Sequence, residues 1–304
     1  MPQRYLIGVD VGGTQVKFGR FSASSGRPLH TEILPTHDGR TVRGNPAWAV
    51  AIRQWIHRTE IARGPAAAVG LAAPGLAGRG NRSIAFMPGR LAGLEGLDWT
   101  DFVGRPVTVL NDAHAALMGE VWRGAAKGLE NAVLLTLGTG VGGAILCDGR
   151  LLQGQVGRAG HLGHLCLDVD GPPTICGIPG GLDWQIGNAS VPERSGGRFA
   201  NTRQLVAAAQ SGDPEARRVW DRSVHCLACA IASLINVLDP QAILIGGGIA
   251  TVGDRLFRPL RRKLSRLEWR PGGRRVKLIP AKLGEWAGAC GAAAFAQSQF
   301  QPPE

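Results

Sequence analysis

The chain has 304 residues, 44% of them hydrophobic, and 34 Lys and Arg against 23 Asp and Glu leave a formal net charge of +11. That is enough apolar sequence for a large core, most simply divided into two lobes. Its longest apolar runs, such as residues 226–235, fall well short of the roughly 18 to 20 residues of a membrane span. The six thinly spread cysteines exclude a disulfide scaffold.

In chain order, residues 4–12, 16–22 and 29–36 read as three strands joined by small polar turns. Residues 45–64 read as a helix with Asn45 as cap, Pro46 at the first helical position, and Trp48, Ile52, Trp55 and Ile56 on one face. Two short apolar strands follow in "AAAVGLAAPG" and "RPVTVLND". The second half repeats the theme with strand, glycine turn and strand in "NAVLLTLGTGVGGAILCDG". It continues through a Gly- and Pro-rich loop region at 169–197, further helices and one more strand, "AILIGGG". Cys226 and Cys229 form a C-x-x-C inside an apolar helix and are read as core. Arginine is densest at 255–275, where Leu256, Leu260, Leu264 and Leu267 define the apolar side of an amphipathic helix and the basic side faces solvent. No nucleic-acid or membrane partner is expected. With no charged leader or apolar signal core before the first strand, a cytoplasmic location is expected.

Three glycine-rich turns each follow an apolar strand: "DVGGTQVK", "LGTGVGG" and "IGGGIA". Such turns let backbone N–H groups approach an anion closely, and together they point to a nucleotide site. No G-K-[ST] is present, and none of the turns opens a helix as G-x-G-x-x-G, which excludes a P-loop enzyme and a dinucleotide-binding dehydrogenase. Asp10, at the end of the first strand, is placed to hold a magnesium-bound water over phosphates. Asn111 and Asp112 stand where an apolar strand gives way to a helix. Either residue suits helix capping; a carboxylate delivered there also suits a general base that takes a proton from an alcohol attacking phosphorus, with Asn111 holding the alcohol's carrier.

These segments together resemble the ROK sugar kinases, which share the fold of actin, hexokinase and Hsp70. The resemblance rests on "DVGGTQVK", "GLAAPG", "NDA", "LGTGVGGAILCDG", "GRAGHLGH" and "IGGGIA", in that order over nearly the whole chain. It implies an α/β, two-lobed, ribonuclease H-like fold with a cleft between lobes. Residues 1–112, completed by a C-terminal helix at about 287–304, would form the first lobe and residues 113–286 the second. Asp112 would be the base acting on a sugar hydroxyl, usually that on carbon six, and Asn111 and Gly75 would touch the sugar. Asp10 would position magnesium through water. Gly12, Gly13, Thr14, Lys17, Gly138, Thr139 and Gly140 would surround the ATP phosphates, and Gly246, Gly247 and Gly248 the adenosine. A homo-oligomer, as a dimer, would be usual.

Two departures from the family pattern fall in the sugar wall. His161 stands where the motif G-E-x-G-H has Glu, while His164 is kept. An imidazole offers one acceptor and one donor where a carboxylate offers two acceptors, so an altered hydroxyl pattern is expected. Of the family's three zinc-site cysteines only Cys176 remains, so that zinc site is expected to be absent. His161, His164, Cys166 and Cys176 are left as the alternative donor set. Asp183 replaces a Glu and, one methylene shorter, is still expected to meet a sugar hydroxyl, and His161 and His164 are read with it as substrate wall. The leading expectation is an ATP-dependent hexose kinase; the alternatives are a catalytically weak sugar-binding sensor and a kinase drawing on polyphosphate through the 255–275 cluster.

Overall fold

The computed structural model describes residues 4–300. They divide into two compact units, the first holding the chain up to 128, residues 151–159 and the chain from 283 onward, the second holding 129–150 and 160–282.

In the first unit β1 (Tyr5–Val11) is buried at every position but Asp10, as a strand covered on both faces must be. It pairs antiparallel with β2 (Gln15–Ser22), which pairs with β3 (Pro28–Pro35). A two-residue ladder, β4 (Thr41–Val42) with β5 (Asn45–Pro46), leads into α1 (Ala47–Arg63). Asn45 is therefore in the ladder and does not cap the helix: Pro46 occupies the cap position without a side-chain hydrogen bond, and the Asn45 amide donates to the Arg43 carbonyl. Then come β6 (Ala68–Ala73), the small hairpin of β7 (Leu76–Ala77) and β8 (Ile84–Phe86), α2 (Trp99–Val103), β9 (Thr108–Asn111) and α3 (Asp112–Arg123). The main sheet has the order β3-β2-β1-β6-β9, with β6 and β9 parallel to β1.

Trp48, Ile52 and Ile56 of α1 join Phe18, Val69 and Leu71 in the core on one face of this sheet. The other face is covered by the C-terminal helix, Ala287–Phe300, and the approach is made possible by glycine. A Cβ on Gly8 would lie 1.9 Å from the Ala289 carbonyl oxygen, and one on Gly291 only 1.6 Å from that of Ala115 in α3. The first unit runs past Asp112 to Gly128 for this reason: α3 packs on the C-terminal helix and cannot be separated from it. Gly291→Ala, which on an exposed helix would gain up to about 1 kcal/mol, is expected here to destabilise the protein by roughly 3 kcal/mol through overpacking against backbone. Urea unfolding of the variant measures it.

The second unit repeats the plan. The hairpin of β10 (Ala132–Leu137) and β11 (Val141–Cys147) continues into β12 (Arg150–Leu151). The Gly- and Pro-rich stretch then contains two short helices, α4 (Leu182–Ile186) and α5 (Val191–Arg194), where the sequence reads only as loop. After α6 (Thr202–Gln210) and α7 (Pro214–Leu238) come β13 (Ala242–Gly246), α8 (Asp254–Leu267) and β14 (Lys277–Pro280). The sheet order is β12-β11-β10-β13-β14. Each unit is thus an antiparallel hairpin flanked by a parallel strand, with a glycine turn inside the hairpin. By length and composition α7 meets the requirements of a membrane span, but 56% of its apolar window is buried in this unit; of the two cysteines read as core, Cys226 is buried, whereas Cys229 is only half-buried. On α8 Leu256, Phe257, Leu260 and Leu264 are buried, whereas Leu267 is 38% exposed because the helix ends there, beyond the core.

Candidate active site

In the first unit the turn between β1 and β2 is held by a residue that sequence reading misses. The Thr36 hydroxyl donates to the Gly12 carbonyl at 2.6 Å and its N–H donates to the Thr14 carbonyl at 3.0 Å. Gly12 N–H closes the turn on the Gln15 carbonyl, and Gly13 has open space where a side chain would stand. Asp10 faces Lys17 across the hairpin, with Nζ 3.8 Å from Oδ2. Gly288 in the C-terminal helix leaves room for the carboxylate, since a Cβ there would lie 2.8 Å from Asp10 Cγ. Enclosure by protein pushes the Asp10 carboxyl up to about 6; Lys17 opposes this and the charge of Asp112 adds to it.

Asn111 caps α3 and also reaches outward. Its Oδ1 accepts from Ala113 N and His114 N, and its Nδ2 donates to the Gly75 carbonyl at 3.0 Å. One side chain thus caps the helix and ties the Gly75 loop to its start. Gly75 adopts φ 101°, a conformation L side chains avoid, and a Cβ there would lie 2.5 Å from the Phe86 carbonyl oxygen. Asp112 follows immediately, open to solvent on one side and crowded by protein on the others. The crowding raises its carboxyl above the usual carboxylate range; the Ala113 N–H, Asn111 and the charge of Arg90 oppose the rise. Arg90 lines a recess of about 450 Å³ with Met87, whose Cβ is also the neighbour that Gly75 avoids. Behind this group His114 is fully buried and joined through Nε2 to the Ala159 carbonyl at 2.8 Å, and burial holds its pKa below the ordinary value. His114 also carries no motif signal in the sequence.

In the second unit the turn from Leu137 to Val141 is tied down by distant backbone. Asn188 N–H donates to the Gly138 carbonyl and Ala189 N–H to the Thr139 carbonyl, both at 2.9 Å. Gly247, at φ 85°, lies against the same turn, where a Cβ would be 2.3 Å from the Leu137 carbonyl oxygen. Gly138, Thr139 and Gly248 thereby line one recess of about 380 Å³ with Asn188, Asn201, Thr202, Arg203 and Thr251. The Thr202 hydroxyl is buried with no hydrogen-bond partner among the described residues, while its N–H donates to the Asn188 side chain at 2.8 Å. Gly246 ends β13 and is the paired partner of Thr136 in the sheet.

Asp183 is placed beneath this turn: its Oδ1 accepts the Val141 N–H, and a Cβ on Gly140 would approach it to 3.0 Å. Burial raises its carboxyl, while the Val141 N–H and the charge of His164 lower it. His161 precedes a short 3-10 turn at Leu162–His164, and the His161 and His164 rings lie parallel with centroids 6.4 Å apart. Cys166 and Cys176 are exposed, and among the described residues no group of three His, Cys, Asp or Glu side chains gathers as a metal site. The donor set of His161, His164, Cys166 and Cys176 is not brought together.

Residues 6–299 match the family model of the ROK family. The chain belongs to that family. It is 32% identical to a glucokinase of Thermotoga maritima over 99% of both chains. A ROK hexokinase of Thermus thermophilus superposes with a TM-score of 0.82 at 31% identity, covering 97% of this chain and 99% of that one. A ROK glucokinase of Streptomyces griseus, solved with glucose and AMPPNP, gives 0.77 at 28% identity over 97% and 99%. The chain is thus a glucokinase-like ROK sugar kinase with a mixed α/β fold of two five-stranded sheets.

Proposed function

We propose that this ROK kinase transfers the terminal phosphoryl group of ATP to a hydroxyl of a hexose or hexose derivative, the hydroxyl on carbon six, with Asp112 as general base. The observation that carries the reading is the Asp112 carboxylate itself. It is fixed in place by the Asn111 cap and the Ala113 N–H, open to a ligand on one side, and raised in proton affinity. A base whose pKa lies nearer the working pH takes a proton more effectively. Asn111 holds the Gly75 loop against the start of α3, so the recess lined by Met87 and Arg90 is available for the sugar ring beside the base.

The amides of the Gly12–Thr14 and Gly138–Gly140 turns bind phosphate oxygens, and the recess lined by Thr139, Thr202 and Gly248 takes the nucleoside end of ATP. Lys17 adds positive charge at the first turn. Asp10 is a single hard-oxygen ligand at a strand end, a donor set that fits magnesium held through water and does not form a closed protein cage. When bound, magnesium would neutralise phosphate charge. His161 supplies one donor and one acceptor to the sugar where the family motif has a carboxylate, so hydroxyl preference differs from that of a Glu-bearing relative.

Incubation of the protein with Mg-ATP and a panel of aldohexoses, hexosamines and N-acylhexosamines is expected to give a 6-phosphate from at least one of them, with His161→Glu reordering the preference. Absence of phosphate transfer to every sugar overturns the reading.

A further inference from the structure

On α1 the residues Trp55, Arg58, Thr59, Ala62 and Arg63 follow the i, i+3, i+4, i+7, i+8 spacing of one helix stripe. Only Trp55 on this stripe is buried; the rest borders a recess of about 310 Å³ that β2 and β3 complete with Arg20, His30 and Glu32. Thr59 and Ala62 are small, and their size leaves the recess open between two arginines. The lining thus carries three arginines and one carboxylate. That carboxylate is already engaged, because Glu32 accepts the Trp55 indole N–H at 2.7 Å and lies 3.8 Å from His30 Nε2.

Arg20, Arg58 and Arg63 make no ion pair among the described residues, although nearby Arg105 is paired with Glu60. Arg63 gains something from the C-terminal end of α1, and Arg20 sits over the Tyr5 ring at 5.5 Å. Neither contact neutralises a charge. The floor is aromatic: the Trp55 ring stacks on Phe18 at 5.0 Å and on His30 at 6.4 Å.

This recess is separate from the residues assigned to phosphoryl transfer. Phe18 and Arg20 share one face of β2, the face against α1, whereas Lys17 and its partner Asp10 point to the opposite face, where Asp10 meets Gly288 of the C-terminal helix.

We propose that the α1 face of the first unit is a second binding site, for a small phosphate-bearing anion. Guanidinium forks bind phosphate oxygens in a bidentate manner, and three arginines lining one recess of small-molecule size match a phosphate dianion. Two sources share that chemistry, inorganic phosphate and a hexose phosphate such as the enzyme's own product.

The test is calorimetric titration of the full chain, first with inorganic phosphate and then with a hexose 6-phosphate, each with AMPPNP present at saturation so that the nucleotide recess is filled. Saturable binding is expected, weakened about tenfold in Arg58→Ala, further in Arg58→Ala/Arg63→Ala, and by added NaCl. The tighter of the two ligands identifies the source. Arg58→Ala is expected to keep wild-type kcat in phosphate-free buffer, which also shows that it is folded. Absence of binding by both ligands, or affinity for them that is unchanged in the two variants, overturns the proposal.

Discussion

Asp112→Asn is expected to lower kcat by about 10² to 10⁴, the contribution of a positioned general base, while leaving the fold as stable as before or more so. The amide keeps the shape of the carboxyl and an oxygen for the Ala113 N–H, which Asp112 Oδ1 accepts at 2.8 Å. It removes a charge that the surrounding protein disfavours, since crowding is the leading cause of the raised Asp112 carboxyl. Loss of activity with an unchanged or higher Tm is therefore the signature of a base at this position. Near wild-type kcat in the variant would remove Asp112 from the chemistry. A fall in both activity and Tm would make it a structural cap.

The acid limb of kcat/KM is expected to lie well above the range of free carboxylates and to be steeper than the titration of one group. Asp10 and Asp112 both act as anions in the proposed reaction, Asp10 is pushed up to about 6 with the charge of Asp112 adding to the rise, and burial raises Asp112 as well. A carboxylate with pKa near 6 is about one-tenth ionised at pH 5, so activity there falls tenfold from Asp10 alone. Raising magnesium is expected to move the limb to lower pH, because the cation favours the ionised form. Stability runs the other way. Between the unfolded carboxylate value and about 6 the folded protein holds more protons at Asp10 than the unfolded chain, and the raised Asp112 acts in the same direction, so their contribution is present at low pH and lost as pH rises through the folded values. The buried His114, with its lowered pKa, opposes this trend below pH 6.5. The clean measurement is therefore the difference in Tm between Asp112→Asn and wild type, which should grow in the variant's favour from pH 4 to pH 7.5. A difference that stays flat would place Asp112 at an ordinary carboxylate pKa.

Several parts of the candidate site were legible from local sequence because they depend on local chemistry. A turn such as "DVGGTQVK" declares its conformational freedom, and Asn-Asp after an apolar strand declares a strand-to-helix junction, as found at Asn111 and Asp112. What local reading missed are the residues that hold these turns from far along the chain. Thr36 anchors the Gly12–Thr14 turn, Asn188 anchors Gly138, and Gly288 makes space for Asp10. A threonine in a strand end or a glycine in an alanine-rich helix has no distinguishing neighbours, and its role exists only once another segment arrives. Asn45 shows the reverse failure: a good capping side chain in the right place is outcompeted by a two-residue ladder.

By itself the sequence determined the duplicated plan of hairpin and glycine turn, the identity of the acid and amide at the head of α3, and the change from carboxylate to imidazole at His161. Those are properties of residue type and short-range order. Tertiary structure alone decided which carbonyls the C-terminal helix could approach, which carboxyls were crowded enough to hold a proton more tightly, and that Arg20 of one strand would line one recess with Arg58 and Arg63 of a helix some forty residues later. Close packing and desolvation depend on distances between segments remote in the chain, and no local pattern carries them.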